Sequence, residues 1–223
     1  MTYGKEYDTK TQARLLDEET YMREANEARE RLHKYFNASD QVLEIGCGLG
    51  QNLYYIRQHA QGIDISDYGV KQCQARNIAA KVGDAQKPLS FAPRSFDVVI
   101  LSNMLEHLKE PSKAMEEAVK VMKDDGLMIV SLGSLEIELQ ISVKENHELH
   151  HHLYSWSVGQ FMEFAELFGL KVVSVERRRK RFFFTAKWSP SLYRWLNMLY
   201  TEYIRRGYGT SAENIFTLKK VKP

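Results

Sequence analysis

The sequence has few cysteines and prolines and no long apolar run. Among 223 residues there are five prolines and two cysteines, Cys47 and Cys73. Two cysteines argue against a disulfide framework and fit a reducing compartment, and neither resembles a metal ligand or a nucleophile. No run of eighteen uncharged apolar residues occurs, and residues 1–8 lack the apolar core of a signal peptide. We therefore expect a cytoplasmic protein.

An excess of charge of one sign is also absent, because 31 basic residues are matched by 29 acidic ones and leave a net charge of +2. Domains that bind nucleic acid usually carry a marked basic excess on one face, so this balance argues against a nucleic-acid partner. The exception is local, since residues 177–181 read RRRKR. This run is either the solvated end of a strand or a patch for an anionic substrate, a phosphate or a lipid headgroup, which would allow peripheral membrane contact.

What the sequence does contain is a glycine-rich loop between a strand and a helix. Residues 42–50 read VLEIGCGLG, so an apolar run with an acid, Glu44, breaks into Gly46, Gly48 and Gly50. Glycine lets the backbone turn tightly and approach a ligand, and the helix start behind it offers unpaired N–H groups. Such a loop either cradles a nucleotide-like cofactor or is a tight connection that binds nothing.

A second acid, Asp64, lies twenty residues beyond Glu44 in the apolar run GIDI. A strand-helix-strand unit places its second strand beside the first, and an acid at that strand end can accept both hydroxyls of a ribose. Dinucleotide enzymes have the spacing GxGxxG, whereas this loop reads GxGxG. The spacing favours a different cofactor and leaves an NAD-dependent oxidoreductase as an alternative.

Further motifs follow in order: GDA at 83–85, FDVVILSNMLEHL at 96–108 and GLMIVS at 126–131. Together with the glycine loop and Asp64, they resemble class I, Rossmann-like S-adenosylmethionine-dependent methyltransferases. The strand that leads into LEHL is similar to the branch with quinone-biosynthesis and many small-molecule methyltransferases. The resemblance covers residues 40–135 well and the rest loosely. It implies a methyltransferase with S-adenosyl-L-methionine as cofactor and S-adenosyl-L-homocysteine as product.

Alternating strands and helices predict an α/β fold with a doubly wound sheet. The resemblance implies seven strands, mostly parallel with an antiparallel last strand, N-terminal helices and a helical insertion before that strand. We expect one domain over 1–223, with a helical cover at 1–38, a cofactor-binding core at 39–135 and substrate-side and C-terminal elements at 136–223. The predicted helices lie within 10–36 and at 50–59, 67–79, 111–123, 157–169 and 189–206, and the strands at 41–45, 61–64, 80–82, 96–101, 126–132, 170–184 and 214–220.

The resemblance also implies which residues contact the cofactor. Glu44 would orient its amino-acid part, Asp64 would accept the ribose hydroxyls and Ile65 would lie against the adenine. Glu44 has a simpler reading as an acid that stabilises the loop, and Asp84 as a turn former. The remaining contacts would come from Asp84 and Ala85 at the adenine, from the backbone of Ser102 and Asn103 at the methionine part, and from the loop residues Gly46, Cys47, Gly48 and Gly50.

Methyl transfer needs mainly alignment, and a general base is needed only for an acceptor that holds its proton tightly. His107, just past the fourth strand, is the best placed candidate, although it would equally suit a cap of the next helix. Four more histidines lie within 147–152. They cannot all face one ion on a regular element, and Glu148 is the only carboxylate beside them, so we predict no metal site.

The acceptor is less constrained by the sequence. No Asn-Pro-Pro-Tyr motif and no Pro-Cys pair of nucleic-acid methyltransferases occurs, and aromatic residues are frequent at 1–36, 133–156 and 185–212. We expect a small organic, lipid-linked or glycan-derived acceptor, with oxygen as the methylated atom by family analogy. An RNA or protein methyltransferase and a non-catalytic cofactor-fold protein remain alternatives. The chain would be a monomer or a homodimer, with the apolar stripe of 189–206 in the core, a lid, an interface or a membrane contact.

Overall fold

A seven-stranded sheet runs through the part of the molecule that the computed structural model describes, which is residues 17–133, 152–179 and 211–221. The strand order is β3-β2-β1-β4-β5-β7-β6, and every pair is parallel except those that β7 makes with β5 and β6. The predicted fold with its antiparallel last strand is therefore confirmed. The strands are β1 Val42–Ile45, β2 Ala60–Asp64, β3 Ala79–Val82, β4 Phe96–Ser102, β5 Met122–Gly133, β6 Leu170–Arg179 and β7 Ser211–Lys220.

Four α-helices of the described residues cover the sheet, and most begin at a residue that satisfies free backbone N–H groups. The Asp17 side chain accepts from Thr20, that of Ser66 accepts from Gly69, and Ser157 forms the predicted cap of the last helix as a full capping box. None of these helices is long and apolar enough to span a membrane. The helices are α1 Glu18–Leu32, α2 Asp67–Ala75, α3 Pro111–Val121 and α4 Val158–Glu166.

The central strands β1 and β4 bury both of their faces, as expected for parallel strands between helices. All four residues of β1 are buried, and side chains alternate along the strand between two apolar clusters. One cluster contains Val42, Val98 and Ile100 with Val70 and Cys73 of α2, and the other contains Leu43, Val99 and Leu101 with Met115 of α3 and Phe161 of α4.

The predicted helix over 50–59 is wrong, since this stretch forms only a 3-10 turn at Tyr54–Ile56. Its backbone N–H groups bond to carbonyl oxygens three residues back, as Leu53 does to Gly50. The carbonyl oxygen of Asn52, which an α-helix would use internally, accepts instead from Nε2 of His33 over 3.0 Å. A tertiary hydrogen bond therefore replaces one that the helix would need.

The other predicted elements that fall within the described residues are present with shifted ends, and the parts predicted at 10–16 and 180–184 lie outside those residues. The helices at 67–79 and 111–123 end at Ala75 and Val121, and β5 begins at Met122 instead of residue 126. The basic run starts inside β6, an edge strand of the sheet, where Arg177 is exposed. The predicted helix at 189–206 lies outside the described residues and stays a prediction.

The strand order reverses between β1 and β4, because the chain goes from β1 to β2 and β3 on one side and from β4 to β5 on the other. Ligands of open α/β sheets bind at this switch point, beyond the carboxyl ends of the strands. Glu44, Asp64 and Ser102 lie at or next to such ends. The fold thus brings the predicted cofactor residues to one edge of the sheet.

Candidate active site

The glycine loop follows β1 in a conformation that side chains would oppose. Gly46, Gly48 and Gly50 have φ angles of +79°, +53° and +82°, all in the left-handed region that glycine adopts without strain. A Cβ atom on Gly46 would lie 2.6 Å from Cγ of Met104. The backbone N–H of Gly46 donates to the carbonyl of Ile63 over 2.8 Å, which ties the loop to β2. The loop is therefore a shaped cradle at the switch point.

Asp64 ends β2 beside this loop, and backbone donors orient its carboxylate. The N–H of Gly48 donates to Oδ2 and the N–H of Ser66 donates to Oδ1, both over 2.8 Å. A carboxylate oxygen is also a good acceptor for hydroxyl donors. A carboxylate held in one orientation loses little entropy when it binds a pair of hydroxyls.

Two apolar side chains next to Asp64 are exposed to solvent. Ile65, directly after Asp64, is 45% exposed, and Val82 at the end of β3 is 55% exposed. Exposed apolar surface beside a polar site offers a flat ring a place to pack. The predicted contact of Ile65 with the adenine stays a prediction.

Glu44 is 1% exposed within β1, and its carboxyl faces Asn52. Nδ2 of Asn52 donates to Oε1 of Glu44 over 2.5 Å, while Oε2 of Glu44 has no hydrogen-bond partner within the described ranges. Burial raises the pKa of Glu44 to about 8, against the opposing effect of the Asn52 hydrogen bond. A buried oxygen of this kind suits a polar ligand group, and a cationic one would favour the ionised carboxyl.

Asn52 is part of a chain of polar contacts that the sequence did not reveal. Nη2 of Arg31 donates to Oδ1 of Asn52 over 2.9 Å, and Nη1 of Arg31 donates to Oε1 of Glu213 over 2.5 Å. Glu213 also accepts from the hydroxyl of Ser131 and lies 3.9 Å from Arg178. Hydrogen bonds among Arg31, Asn52, Ser131 and Glu213 therefore connect α1, the loop, β5 and β7. We call these four residues the floor of the site.

Cys47, predicted among the cofactor residues, turns its side chain into the core. It is 3% exposed, and a Cβ atom on Gly62 would lie 2.6 Å from its sulfur. A hydrogen bond with Cys73 and burial hold the pKa of the Cys47 thiol well above its usual value. Only the backbone of Cys47 is left to meet a ligand.

Asp84 forms a turn after β3, as its simpler reading predicted. Its Oδ1 accepts from the backbone N–H of Gln86 over 2.9 Å, and Lys87 lies 3.8 Å from Oδ2. The carboxylate is partly exposed, and Ala85 packs against the core beside it. The turn does not conflict with a contact to adenine, because the same carboxylate keeps acceptor capacity.

Ser102 and Asn103 lie at the end of β4. Asn103 has a φ angle of +47° and donates its backbone N–H to the carbonyl of Ser131 over 2.8 Å. The hydroxyl of Ser102 accepts from Arg31 over 3.4 Å. These residues border the switch point opposite Asp64.

His107 ends a 3-10 turn, Leu105–His107, just beyond them. Its ring meets that of His152 edge-on, with centroids 4.8 Å apart. The backbone N–H groups of Leu153 and Tyr154 donate to the carbonyl of Glu106 over 2.7 and 3.2 Å. The structure therefore brings together His107 and one of the four downstream histidines, and adds Glu106, which our sequence argument overlooked.

A groove of about 700 Å³ opens beside this turn, between the start of α3 and one face of α4. Tyr154 stacks on Trp156 with ring centroids 5.8 Å apart, and the hydroxyl of Tyr154 donates to the carbonyl of Lys109. Aromatic walls with polar rims suit organic molecules. The lining includes Lys109, Pro111, Tyr154, Trp156, Phe164 and Leu167.

Comparison with known proteins identifies the central part of the chain. Residues 43–130 match the family model of the methyltransferase domain. An uncharacterized protein of Methanocaldococcus jannaschii is 33% identical over 108 residues, which are 48% of this chain and 42% of that protein. A ubiquinone biosynthesis O-methyltransferase of Albidiferax ferrireducens is 28% identical over 104 residues, 42% of this chain and 41% of that enzyme. The chain thus spans about two fifths of these relatives' length.

A solved structure extends the similarity over almost the whole chain. A S-adenosylmethionine-dependent methyltransferase of Thermotoga maritima, described as a possible histamine N-methyltransferase, superposes with a TM-score of 0.70. The match covers 97% of both chains at 18% sequence identity. At this identity the likeness concerns the fold.

Proposed function

The chain carries a methyltransferase domain of the class I, Rossmann-like, S-adenosylmethionine-dependent type, and on that premise we propose that it methylates an oxygen atom of a small organic acceptor. S-adenosylmethionine is the cofactor that this family and fold imply. When bound, it supplies an electrophilic methyl group on a sulfonium centre. We further propose that residues 1–223 form a single domain.

The observation that carries the proposal is the orientation of Asp64 by Gly48 and Ser66. A ribose with two adjacent hydroxyls would donate to the two fixed carboxylate oxygens, and Ile65 would pack against the adenine. The left-handed loop would pass beside the ligand without a side chain between them. Each feature fits an adenosyl group, and the GxGxG spacing argues against a dinucleotide.

The methionine end of the cofactor would lie toward Glu44 and the end of β4. Oε2 of Glu44 is buried and lacks a partner within the described residues, so a bound amino-acid group or a water would satisfy it. The backbone at Ser102 and Asn103 borders the same space. The methyl group would then point toward the turn that bears His107. We propose His107 as the catalytic residue beside the acceptor.

A small organic acceptor is supported by the groove whose lining includes Lys109, two residues after His107. Its aromatic walls suit a ring or an apolar chain, and Tyr154 and Lys109 provide polar groups at its edge. The names of similar proteins point to different atoms, since one relative is named an O-methyltransferase and a structural neighbour is described as a possible histamine N-methyltransferase. The choice of oxygen as the methylated atom therefore rests on the O-methyltransferase of Albidiferax ferrireducens, which is similar in sequence.

Two measurements test the proposal. Calorimetric titration with S-adenosylhomocysteine should show one binding site, with an affinity that falls in an Asp64→Ala variant. Transfer of a labelled methyl group from S-adenosylmethionine should then be measured on a panel of phenols, hydroxy acids and amines. Absence of S-adenosylhomocysteine binding by the folded protein would refute the cofactor, and labelling of amines alone would refute oxygen as the acceptor atom.

A further inference from the structure

We infer that Glu106, His107 and His152 form a binding site for one divalent transition-metal ion such as Zn²⁺. Each side chain offers one ligand atom, and these atoms all lie within 4.8 Å of one another. The site departs from our sequence prediction, which weighed only carboxylates near 147–152 in the chain. Folding brings Glu106 and His107 to the last histidine of that segment.

The ligand set indicates the kind of ion. Two imidazoles and one carboxylate are a common set of three protein ligands for zinc, and the fourth position then takes water or substrate. Imidazole also suits copper, iron and nickel, whereas Mg²⁺ prefers an octahedron of oxygen atoms. We therefore expect Zn²⁺ to bind and Mg²⁺ to bind far more weakly.

The geometry requires little rearrangement. Ligand bonds of about 2.1 Å place the ligand atoms of a tetrahedral site about 3.4 Å apart. From a separation of no more than 4.8 Å, the widest pair must close by about 1.4 Å at most. Rotation about side-chain torsions moves an imidazole nitrogen by this amount without moving the backbone.

The backbone already holds the three residues together. The two hydrogen bonds that Leu153 and Tyr154 donate to the carbonyl of Glu106 fix the segment after His152 against the 3-10 turn. The Glu106 side chain is 3% exposed. A divalent cation bound here would gain one anionic oxygen ligand and two imidazole nitrogen ligands.

The position of the cluster suggests a role, and this part of the inference rests on the proposed function. Lys109 and Tyr154, which line the groove, come two residues after His107 and His152. An acceptor hydroxyl bound at the open position of the ion would have a lower pKa and would release its proton to solvent. The oxygen's electron pair would then form the O–C bond as the C–S bond breaks, with that bond's pair remaining on sulfur.

Calorimetric titration with ZnCl₂ tests the site directly. Protein without a polyhistidine tag is dialysed against a chelator and then against chelator-free buffer. We expect one ion per chain, and an affinity at least about a hundredfold lower in Glu106→Gln, His107→Ala and His152→Ala. His59→Ala is the matched control, because His59 is exposed and precedes β2 at the opposite edge of the sheet, and it should bind Zn²⁺ like the wild type.

The histidine-rich segment needs its own control. A variant with His147, His150 and His151 replaced by Ala should retain Zn²⁺ binding. If it loses binding while His107→Ala and His152→Ala keep the wild-type affinity, the ion is held elsewhere and the inference is wrong. Equal affinity for Mg²⁺ would also overturn it. Should Glu106→Gln fail to fold, the two single histidine variants decide the matter.

Parallel titrations with S-adenosylhomocysteine separate this inference from the proposed function. Binding of S-adenosylhomocysteine without binding of Zn²⁺ would refute the metal site and leave the methyltransferase proposal intact. Binding of Zn²⁺ without binding of S-adenosylhomocysteine would refute the cofactor assignment and leave the metal site intact, without its role in methyl transfer.

Discussion

The side-chain amide of Asn52 donates a hydrogen bond to the carboxyl of Glu44 over 2.5 Å, and both side chains are buried. Glu44 belongs to the strand that enters the glycine loop, and Asn52 follows the loop's last glycine by two residues. The contact therefore closes the loop on itself. The protonation state of Glu44 should therefore affect the stability of the loop.

The first prediction concerns pH. Burial raises the pKa of Glu44 from 4.5 to about 8, so between these values the folded protein holds a proton that the unfolded chain releases. The contribution of Glu44 is fully present below pH 4.5 and is lost as the pH rises to about 8. The free energy of unfolding of the wild type, minus that of Glu44→Gln, should fall across this range with a slope approaching about 1.4 kcal/mol per pH unit.

Urea unfolding at several pH values, without cofactor, measures this difference. Subtracting the variant removes the effects of other groups, such as His33, whose pKa burial lowers and whose contribution has the opposite sign. Parallel stability curves for the two proteins would contradict the raised pKa.

The second prediction concerns Asp64. Replacing it with Ala removes the proposed acceptor of the ribose hydroxyls and the partner of two backbone N–H groups. The affinity for S-adenosylhomocysteine should fall by roughly 2 kcal/mol, about thirtyfold. Asp124→Ala is the control, since Asp124 is 70% exposed and pairs with Lys220 and Arg94 away from the loop. Unchanged affinity in a folded Asp64→Ala protein would sink the assignment.

The third prediction concerns Gly48, whose φ of +53° is unfavourable for a branched side chain. In Gly48→Val the side chain would also project from the loop that we propose to border the cofactor, so cofactor binding should be lost before the protein unfolds. Gly159→Ala is a contrasting control, because a Cβ atom there meets nothing within 4 Å and the residue lies in α4. It should raise stability by about 0.5–1 kcal/mol. Normal cofactor binding by Gly48→Val would reduce the loop to a simple turn.

The fourth prediction concerns the pair of Arg31 and Glu213, whose side chains are 14% and 12% exposed. Arg31→Ala removes the closest cation of the largely buried Glu213 carboxylate and the donor to Oδ1 of Asn52, and should lower the free energy of unfolding by about 3 kcal/mol. Lys71→Ala removes the ion pair with Asp67, whose two side chains are 67% and 65% exposed. This substitution should change the free energy of unfolding by less than about 0.5 kcal/mol. Chemical denaturation compares the two, and equal losses would show that the buried pair is no more than a surface contact.

Much of the fold followed from local patterns in the sequence. The apolar runs of β1, β2 and β4 and the serine cap of α4 were predicted within a few residues, because strand and cap preferences depend on near neighbours. The prediction of a helix at 50–59 was wrong because a contact between residues distant in sequence decides the structure there. His33, far away in the sequence, takes the carbonyl of Asn52 that an α-helix would have used.

The candidate site divides in the same way. The GxGxG spacing and Asp64 were readable because the glycines directly follow one strand and have a conformational purpose, and because Asp64 ends the next strand. No sequence pattern marked Asn52, Arg31 or Glu213 as the floor of the site. The last two are separated by 182 residues, so their contact depends on the register of β7 beside β5.

The sequence by itself determined the glycine loop, the acids at the ends of β1 and β2 and the alternation of strands and helices, because each of these depends on the chemistry of adjacent residues. Only the tertiary structure decided that Glu106 and His107 meet His152, and that Arg31 links α1 to β7. Such contacts depend on strand order, register and helix placement. Those are properties of the whole packed core, and a segment considered alone does not contain them.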